Sequence, residues 1–158
     1  MKVLVIDDEP ANVALLEAML LEGGYTRVKT ITDSRLALET CVTFDPDLVL
    51  LDLMMPHVDG FTILESIRRA AAEAFLPVIV LTADANESTK LRALRAGATD
   101  FLLKPFDQLE VLLRMTNLLE TRRLHLQLDM HVAAYADAVR ERTSELREAQ
   151  VQLQAVGR

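Results

Sequence analysis

The chain has 158 residues, of which 51% are hydrophobic and 26% are charged, so it can form a buried core and is not a wholly disordered protein. Its 17 Lys and Arg residues against 24 Asp and Glu residues give a net charge of −7, which argues against a general binder of nucleic-acid backbones. A single cysteine, Cys41, excludes an intramolecular disulfide framework and a four-cysteine zinc site. The apolar run after Lys2 stops at Asp7, and no stretch approaches the ~20 apolar residues of a membrane span, so we expect a soluble cytoplasmic protein that does not enter a membrane.

Five short apolar runs predict the strands of a sheet. They occupy residues 3–6, 28–31, 48–51, 78–81 and 101–103. Because these runs are continuous rather than alternating, they are typical of strands that are covered on both faces. Amphipathic segments separate them, so we predict an α/β fold with a doubly wound, five-stranded parallel sheet and helices on both faces.

Two of the intervening helices have recognisable end residues. Asp33 or Ser34 can cap a helix that runs through Cys41. A helix over residues 87–96 is followed by Gly97, a residue type that commonly ends helices.

The last fifty residues lack internal helix breakers, since every proline lies before residue 106 and the only late glycine is Gly157. We therefore predict a first domain over residues 1–120, and a linker helix over residues 121–158 that continues the last helix of that domain. The continuous helix is predicted to begin at Asp107. Three leucines near its start are expected to cover the sheet: Leu109, Leu112 and Leu113.

A heptad pattern runs along this helix for more than five heptads, with spacings that alternate between three and four residues. We call its positions the C-terminal seam: Leu118, Thr121, His125, Leu128, Val132, Tyr135, Val139, Arg142, Leu146, Ala149, Leu153 and Val156. Most are apolar, so the pattern predicts a coiled coil between two copies of the chain. A helix that packs back on its own domain is the alternative. Equivalent positions in a homodimer favour parallel pairing, with antiparallel pairing left open.

Polar residues end several of the predicted strands. Asp7 and Asp8 follow the first strand, Asp52 follows the third, Thr82 follows the fourth, and Lys104 follows the fifth. In a parallel sheet these strand ends should face one crevice. Three close carboxylates repel one another, and a hard divalent cation such as Mg²⁺ relieves that repulsion. A carboxylate beside Mg²⁺ and an ammonium group is a competent nucleophile toward a phosphoryl group.

Taken together, these motifs resemble the receiver domain of two-component response regulators. The matching residues are Asp7-Asp8, Asp52 with Met55-Pro56 and Asp59-Gly60, Thr82-Ala83, and Phe101 with Lys104-Pro105. The resemblance covers roughly residues 1–120. It implies a flavodoxin-like fold with strand order 2-1-3-4-5, followed here by the extended C-terminal helix.

The resemblance also implies a ligand and a reaction. Asp52 would accept a phosphoryl group from a sensor histidine kinase or a phosphotransfer protein, as one step of a phosphorelay. Asp8, Asp52 and the backbone carbonyl of Met54 would bind Mg²⁺, with Mn²⁺ as an alternative, and Asp7 would act largely through bound water.

Further roles follow from the resemblance for residues around the acceptor. Thr82 and Lys104 would contact the phosphoryl group. Phe101 would be the aromatic switch residue whose rotamer follows Thr82 during activation. The Lys104-Pro105 peptide bond would be cis.

Simpler interpretations stay open for some residues. Thr82 could be an ordinary cap of the following helix, and Phe101 a buried core aromatic. We interpret His57 as a loop residue near the site and not as a ligand. His125 and His131 are six residues apart, which does not place a metal-binding pair on one helix face.

The predicted function is a phosphorylation-controlled switch, not an enzyme, that signals through a dimeric helix to an output domain outside this chain. Residues 139–146 resemble linker helices that precede HD-GYP phosphodiesterase, diguanylate cyclase or kinase outputs. Since the seam still runs at Gly157, we expect a fragment of a larger regulator. Basic and acidic residues interleave over 121–158, so no direct DNA binding by this chain is expected. The alternatives are a stand-alone dimerisation or scaffold receiver, and an aspartyl-phosphate phosphohydrolase, for which no cap-sized insertion exists.

Overall fold

The structure is a computed structural model that describes residues 1–157. Its five strands are β1 (Lys2–Ile6), β2 (Arg27–Ile31), β3 (Leu48–Asp52), β4 (Val78–Thr82) and β5 (Asp100–Leu103). Neighbouring strands all pair in parallel, in the order β2-β1-β3-β4-β5. The predicted doubly wound sheet is therefore confirmed. Each strand is one residue longer than its apolar run, because a polar residue at one end joins the strand.

Helices connect the strands and cover both faces of the sheet. They are α1 (Pro10–Glu22), α2 (Ala37–Phe44), α3 (Gly60–Ala71), α4 (Glu87–Ala96) and α5 (Gln108–Val156). We expected the helix through Cys41 to begin directly after a cap at Asp33 or Ser34, and this predicted start was wrong. The Asp33 carboxylate accepts a hydrogen bond from the backbone N–H of Arg35 and begins a separate 3-10 helix, and α2 starts only after it.

The core has two layers, one on each face of the sheet. Alternate residues of each central strand point to opposite faces, and both faces are buried because helices cover them. On one face the strands pack against α2, α3 and α4 through Leu4, Ile6, Val49, Leu51, Val80, Cys41, Leu64, Ile67 and Ala93. On the other they pack against α1 and α5 through Val3, Val5, Leu48, Leu50, Ile79, Leu16, Leu20, Val111, Met115 and Leu119.

The phase of α5 on the sheet differs from our expectation. Leu109 and Leu113 are 66% and 55% exposed, so the prediction that they cover the sheet was wrong. Leu112 is half-buried against the core. The buried stripe is Val111, Met115 and Leu119, at spacings of four residues. This stripe lies two residues out of phase with the exposed leucines, which is about half a helical turn.

The chain forms two compact units, one from Met1 to Arg122 and one from Arg123 onward. The second unit consists of the later part of α5. Its large seam residues are all exposed: Leu128, Val132, Tyr135, Val139, Leu146 and Leu153. The first seam residue, Leu118, belongs to the first unit and packs against its core. No helix among residues 1–157 combines the length and the apolar character that crossing a membrane requires.

Candidate functional site

Three carboxylates lie together at the carboxyl ends of β1 and β3. These strands are neighbours in the sheet, with Ile6 paired to Leu51, so Asp7 and Asp52 follow at adjacent strand ends. One oxygen from each of Asp7, Asp8 and Asp52 lies within 4.8 Å of the others. In the described part of the chain, this is the only such group of metal-binding side chains.

The ammonium group of Lys104 reaches into this cluster from the end of β5. Its Nζ lies 3.3 Å from Asp7 Oδ2 and 3.4 Å from Asp52 Oδ2. The backbone N–H of Lys104 donates to the carbonyl of Thr82 at 2.9 Å, which fixes the start of the side chain beside β4. The Lys104-Pro105 peptide bond is cis. The site therefore has one cation among three carboxylates.

The electrostatics of Asp52 reflect this crowding. Its side chain is almost completely buried. Burial raises the pKa of Asp52 to about 7, and the charge of Asp7 adds to this rise. A hydrogen bond from the Met54 backbone N–H, at 3.1 Å, and the charge of Lys104 act in the opposite direction. A further cation at the site would favour the ionised carboxylate.

The donor atoms fit a hard divalent cation. Asp7 is fully buried, and its Oδ1 accepts a hydrogen bond from the Glu9 N–H at 3.0 Å. Its Oδ2 is buried and accepts no hydrogen bond from the described residues, and the Lys104 ammonium at 3.3 Å lies beside it. Positive charge favours a buried carboxylate oxygen that accepts no hydrogen bond, and oxygen-only ligand sets are the kind that Mg²⁺ prefers. The Met54 side chain is exposed and takes no part in the cluster.

Thr82 and Phe101 lie on β4 and β5. Thr82 is buried, and its Oγ1 accepts a hydrogen bond from the Asp84 N–H at 3.0 Å. The cap of α4 is Asn86, whose side chain accepts from the Ser88 N–H, so the interpretation of Thr82 as that cap was wrong. Phe101 is half-buried and packs against the core layer under α3 and α4. Phe101 therefore packs as a core aromatic.

The histidines do not join the carboxylate cluster. His57 lies in the loop before α3 with a left-handed backbone, at a φ of 71°. His125 and His131 lie on α5. Among the residues that the structure describes, no group of potential metal ligands includes a histidine.

Ser34 and Gly60 hold the backbone around the site, and neither role was predicted from the sequence. The Ser34 hydroxyl donates to the Pro56 carbonyl at 2.7 Å and accepts from the Val58 N–H at 3.2 Å, so it holds the loop that follows β3. Gly60 lies against the backbone of the strand end, since a Cβ there would be 2.6 Å from the Asp52 carbonyl oxygen. The Asp59-Gly60 motif was visible in the sequence, but Ser34 had no local signal because its partners are more than twenty residues away.

The family comparison gives one clear match. The family model described as "Response regulator receiver domain" matches residues 3–117. Among curated proteins, the DNA-binding dual master transcriptional regulator RpaA of Synechocystis is 41% identical over 118 residues, which is 75% of this chain and 48% of that protein. The response regulator PleD of Caulobacter vibrioides is 38% identical over 117 residues, which is 74% of this chain and 26% of that protein. The chain thus spans half or less of the length of these relatives.

Solved structures agree with the family match. The receiver domain of a sensor histidine kinase from Pseudomonas aeruginosa, with a magnesium ion coordinated in its active-site cleft, is 31% identical. The alignment covers 75% of this chain and 97% of that one, with a TM-score of 0.69. The chain therefore belongs to the response regulator receiver domain family of two-component signalling.

Proposed function

We propose that Asp52 accepts a phosphoryl group from the phosphohistidine of a sensor histidine kinase or a phosphotransfer protein, in a Mg²⁺-dependent reaction. The observation that carries this proposal is the contact of the Lys104 ammonium with Asp52 inside the cluster of three carboxylates. Asp52 has an environment that suits a nucleophile, because it is buried and the Lys104 ammonium lies beside its carboxylate.

The proposed metal ligands are Asp8, Asp52 and the backbone carbonyl of Met54, with Asp7 acting through bound water. The close approach of three carboxylates around the single ammonium group of Lys104 supports a further cation at this place. When bound, Mg²⁺ would supply positive charge to the phosphoryl oxygens and keep Asp52 ionised near neutral pH. Mn²⁺ has the same preference for oxygen ligands and would substitute.

The reaction itself needs few protein groups. A carboxylate oxygen of Asp52 forms a bond to phosphorus while the bond from phosphorus to the donor imidazole nitrogen breaks, and the imidazole leaves with the electron pair. Lys104 neutralises charge on the transferring oxygens. The Thr82 oxygen already accepts from the Asp84 N–H, so its hydroxyl proton is the part that can be donated to a phosphoryl oxygen.

Phosphoryl uptake from a small phosphodonor tests this proposal. We expect wild-type protein with Mg²⁺ to gain the mass of one phosphoryl group, and the gain to vanish with a chelator or in Asp52→Asn. Uptake by Asp52→Asn at the wild-type rate would contradict the proposal. Sustained turnover of a phosphate ester would instead favour the phosphohydrolase alternative.

We further propose that two copies of the chain pair through the C-terminal seam, and that phosphorylation changes this pairing. The exposure of the large apolar seam residues over several heptads supports a partner helix. Arg142 and His125 are polar seam positions, which make such a pairing easier to rearrange than an all-leucine seam. The greater length of the relatives supports an output domain beyond this chain, and residues 139–146 resemble the linkers of HD-GYP and diguanylate cyclase regulators.

Light scattering tests the pairing. Samples with and without beryllofluoride and Mg²⁺ are compared for wild type and for Asp52→Asn, since beryllofluoride takes the place of the phosphoryl group. We expect a dimer whose mass or shape changes only in wild type. A monomer in every sample would contradict the seam, and an identical dimer in every sample would favour the scaffold alternative.

A further inference from the structure

Helix α4 has almost no apolar attachment to the rest of the domain. Of its ten residues only Ala93, a small side chain, is buried, and Ala96 is partly buried against the same core layer. Its larger apolar residues, Leu91 and Leu94, are exposed. The neighbouring helix α3 buries Phe61, Ile63, Leu64 and Ile67. Apolar burial therefore holds α3 firmly but gives α4 little, and other contacts must position α4.

Two cationic side chains of α4 lie over aromatic rings of neighbouring elements. Lys90 Nζ is 4.7 Å from the ring centroid of Phe101 on β5. The guanidinium carbon of Arg92 is 3.9 Å from the ring centroid of Phe61 on α3. Both distances are within the ~6 Å range of an attractive cation–π contact. These contacts attach α4 to an element on each side.

The ion pairs of the same two cations are weaker. Lys90 Nζ lies 3.8 Å from Glu87, whose side chain is 92% exposed, and Arg92 lies 3.9 Å from the half-exposed Asp59. Exposed ion pairs contribute little to stability. The Lys90 side chain is only 22% exposed, so its contact with the Phe101 ring is partly shielded from water and is the stronger of its two interactions.

The position of the Phe101 ring connects this contact with the functional site. Phe101 pairs with Val80, and Leu103 pairs with Thr82 two residues further along the same two strands. Residues two apart on a strand point to the same face, so Val80 and Thr82 share the face on which Phe101 packs. Thr82 therefore lies on the same face of the sheet as the ring, two residues beyond the strand partner of Phe101.

We propose that Lys90 is a positioning residue that holds α4 on the domain through the ring of Phe101, so that the turning of this ring, which the family resemblance implies, acts on α4 through Lys90. Arg92 on Phe61 is a second attachment that does not depend on Phe101. The contact between Lys90 and the Phe101 ring, which we call the holding contact, exists in the unmodified protein. The loss of this contact, which we call the release, rests on the proposed function, in which Thr82 moves toward a phosphoryl group on Asp52.

Hydrogen exchange of the α4 amides, without Mg²⁺ or phosphodonor, tests the holding contact. Lys90→Met keeps the length of the side chain but removes its charge, and we expect exchange in α4 to accelerate about two- to fivefold. Lys90→Arg should keep the wild-type rate. Two controls should accelerate exchange less than Lys90→Met does: Glu87→Gln, which removes the ion-pair partner and first-turn acid, and Arg95→Met, which removes an exposed last-turn cation of the same helix.

A double-mutant cycle separates the ring contact from general loosening. In a Phe101→Leu background, Lys90→Met should cause no further acceleration, because the ring is already absent. Three results would each overturn the proposal. The first is α4 exchange at the wild-type rate in Lys90→Met, and the second is equal acceleration in Glu87→Gln or Arg95→Met. The third is full additivity of Lys90→Met with Phe101→Leu.

The release is tested by repeating the exchange with beryllofluoride and Mg²⁺. In wild type, α4 exchange should rise to the level of ligand-free Lys90→Met, and the variant itself should show no further rise. If mass spectrometry detects beryllofluoride on wild type while α4 exchange stays constant, the release is wrong and the phosphoacceptor role of Asp52 stands. If beryllofluoride does not bind, the phosphoacceptor role fails, and the ligand-free comparison still decides whether Lys90 holds α4.

Discussion

The ammonium nitrogen of Lys104 lies 3.4 Å from Oδ2 of Asp52, although their strands β5 and β3 are separated by β4 in the sheet. The lysine side chain therefore passes over the end of the intervening strand to reach the carboxylate. This contact places the ammonium group where a second cation is also expected to bind. We expect the two cations to compete electrostatically in the resting protein and to act together in the proposed phosphorylated state.

Removal of the Lys104 charge should therefore separate metal binding from phosphoryl transfer. Lys104→Met leaves the three carboxylates without their internal cation, so we expect Mg²⁺ to bind more tightly, by about three- to tenfold. Phosphoryl uptake should nevertheless slow, because the lysine no longer neutralises the transferring oxygens. Calorimetric titration with Mg²⁺ measures the first effect, with Arg95→Met as a charge-matched control. Weaker Mg²⁺ binding in Lys104→Met would show that the lysine organises the site instead of competing at it.

Asp52→Asn should stabilise the metal-free protein in a pH-dependent way. Because burial raises the pKa of Asp52 from 3.8 to about 7, the folded state keeps a proton that the unfolded state has already lost. The wild-type free energy of unfolding therefore falls as the pH rises from about 4 to about 7, whereas the asparagine variant cannot ionise. We expect the variant to be more stable by ~2 kcal/mol at pH 8, with the difference shrinking toward pH 4. Urea unfolding at several pH values measures it, and a difference independent of pH would be inconsistent with this explanation.

Gly60→Ala should damage the site through packing. The added methyl group would lie 2.5 Å from Leu53 Cα and 2.6 Å from the Asp52 carbonyl oxygen, and backbone atoms cannot move away as a side chain can. We expect a loss of about 1–3 kcal/mol in stability together with weaker Mg²⁺ binding. Gly24→Ala is the matched control: its φ is 92°, but nothing lies within 4 Å of the new methyl group, so it should cost about 1 kcal/mol and leave Mg²⁺ binding intact. Equal Mg²⁺ affinities in the two variants would refute the packing argument.

Arg122→Ala should destabilise the first unit at the end opposite the carboxylates. Its buried guanidinium lies 3.4 Å from Asp47 and donates to the Phe75 carbonyl at 2.8 Å. Truncation leaves Asp47 without its cation, at an expected cost of about 2–4 kcal/mol. Arg140→Ala, which removes an exposed arginine from the same helix, should cost less than about 0.5 kcal/mol. Thermal unfolding of both variants provides the comparison, and similar melting temperatures would mean that Arg122 contributes no more than a surface ion pair.

The sequence was informative where chemistry and local pattern coincide. Asp52 could be placed at a strand end because a continuous apolar run precedes it, and the parallel topology then requires Asp7 and Lys104 to lie near it. The early part of α5 was predicted in the wrong phase, because its leucines offer two apolar stripes and only the sheet selects Val111 and Met115. Ser34 escaped recognition as a support because long-range hydrogen bonds leave no periodic signal. The contact of Lys90 with Phe101 was missed for the same reason.

Chemical trapping of the phosphoryl group at its position in the chain tests the central claim most directly. After incubation with a small phosphodonor and Mg²⁺, borohydride reduces an aspartyl phosphate to homoserine, and peptide mass spectrometry locates the altered residue. We predict homoserine at position 52 in wild type, and none when Mg²⁺ is chelated or in Asp52→Asn. Two results would contradict the assignment of Asp52 as the acceptor. One is homoserine at position 7 or 8 while Asp52 is intact, and the other is the absence of homoserine in a sample that has gained phosphoryl mass.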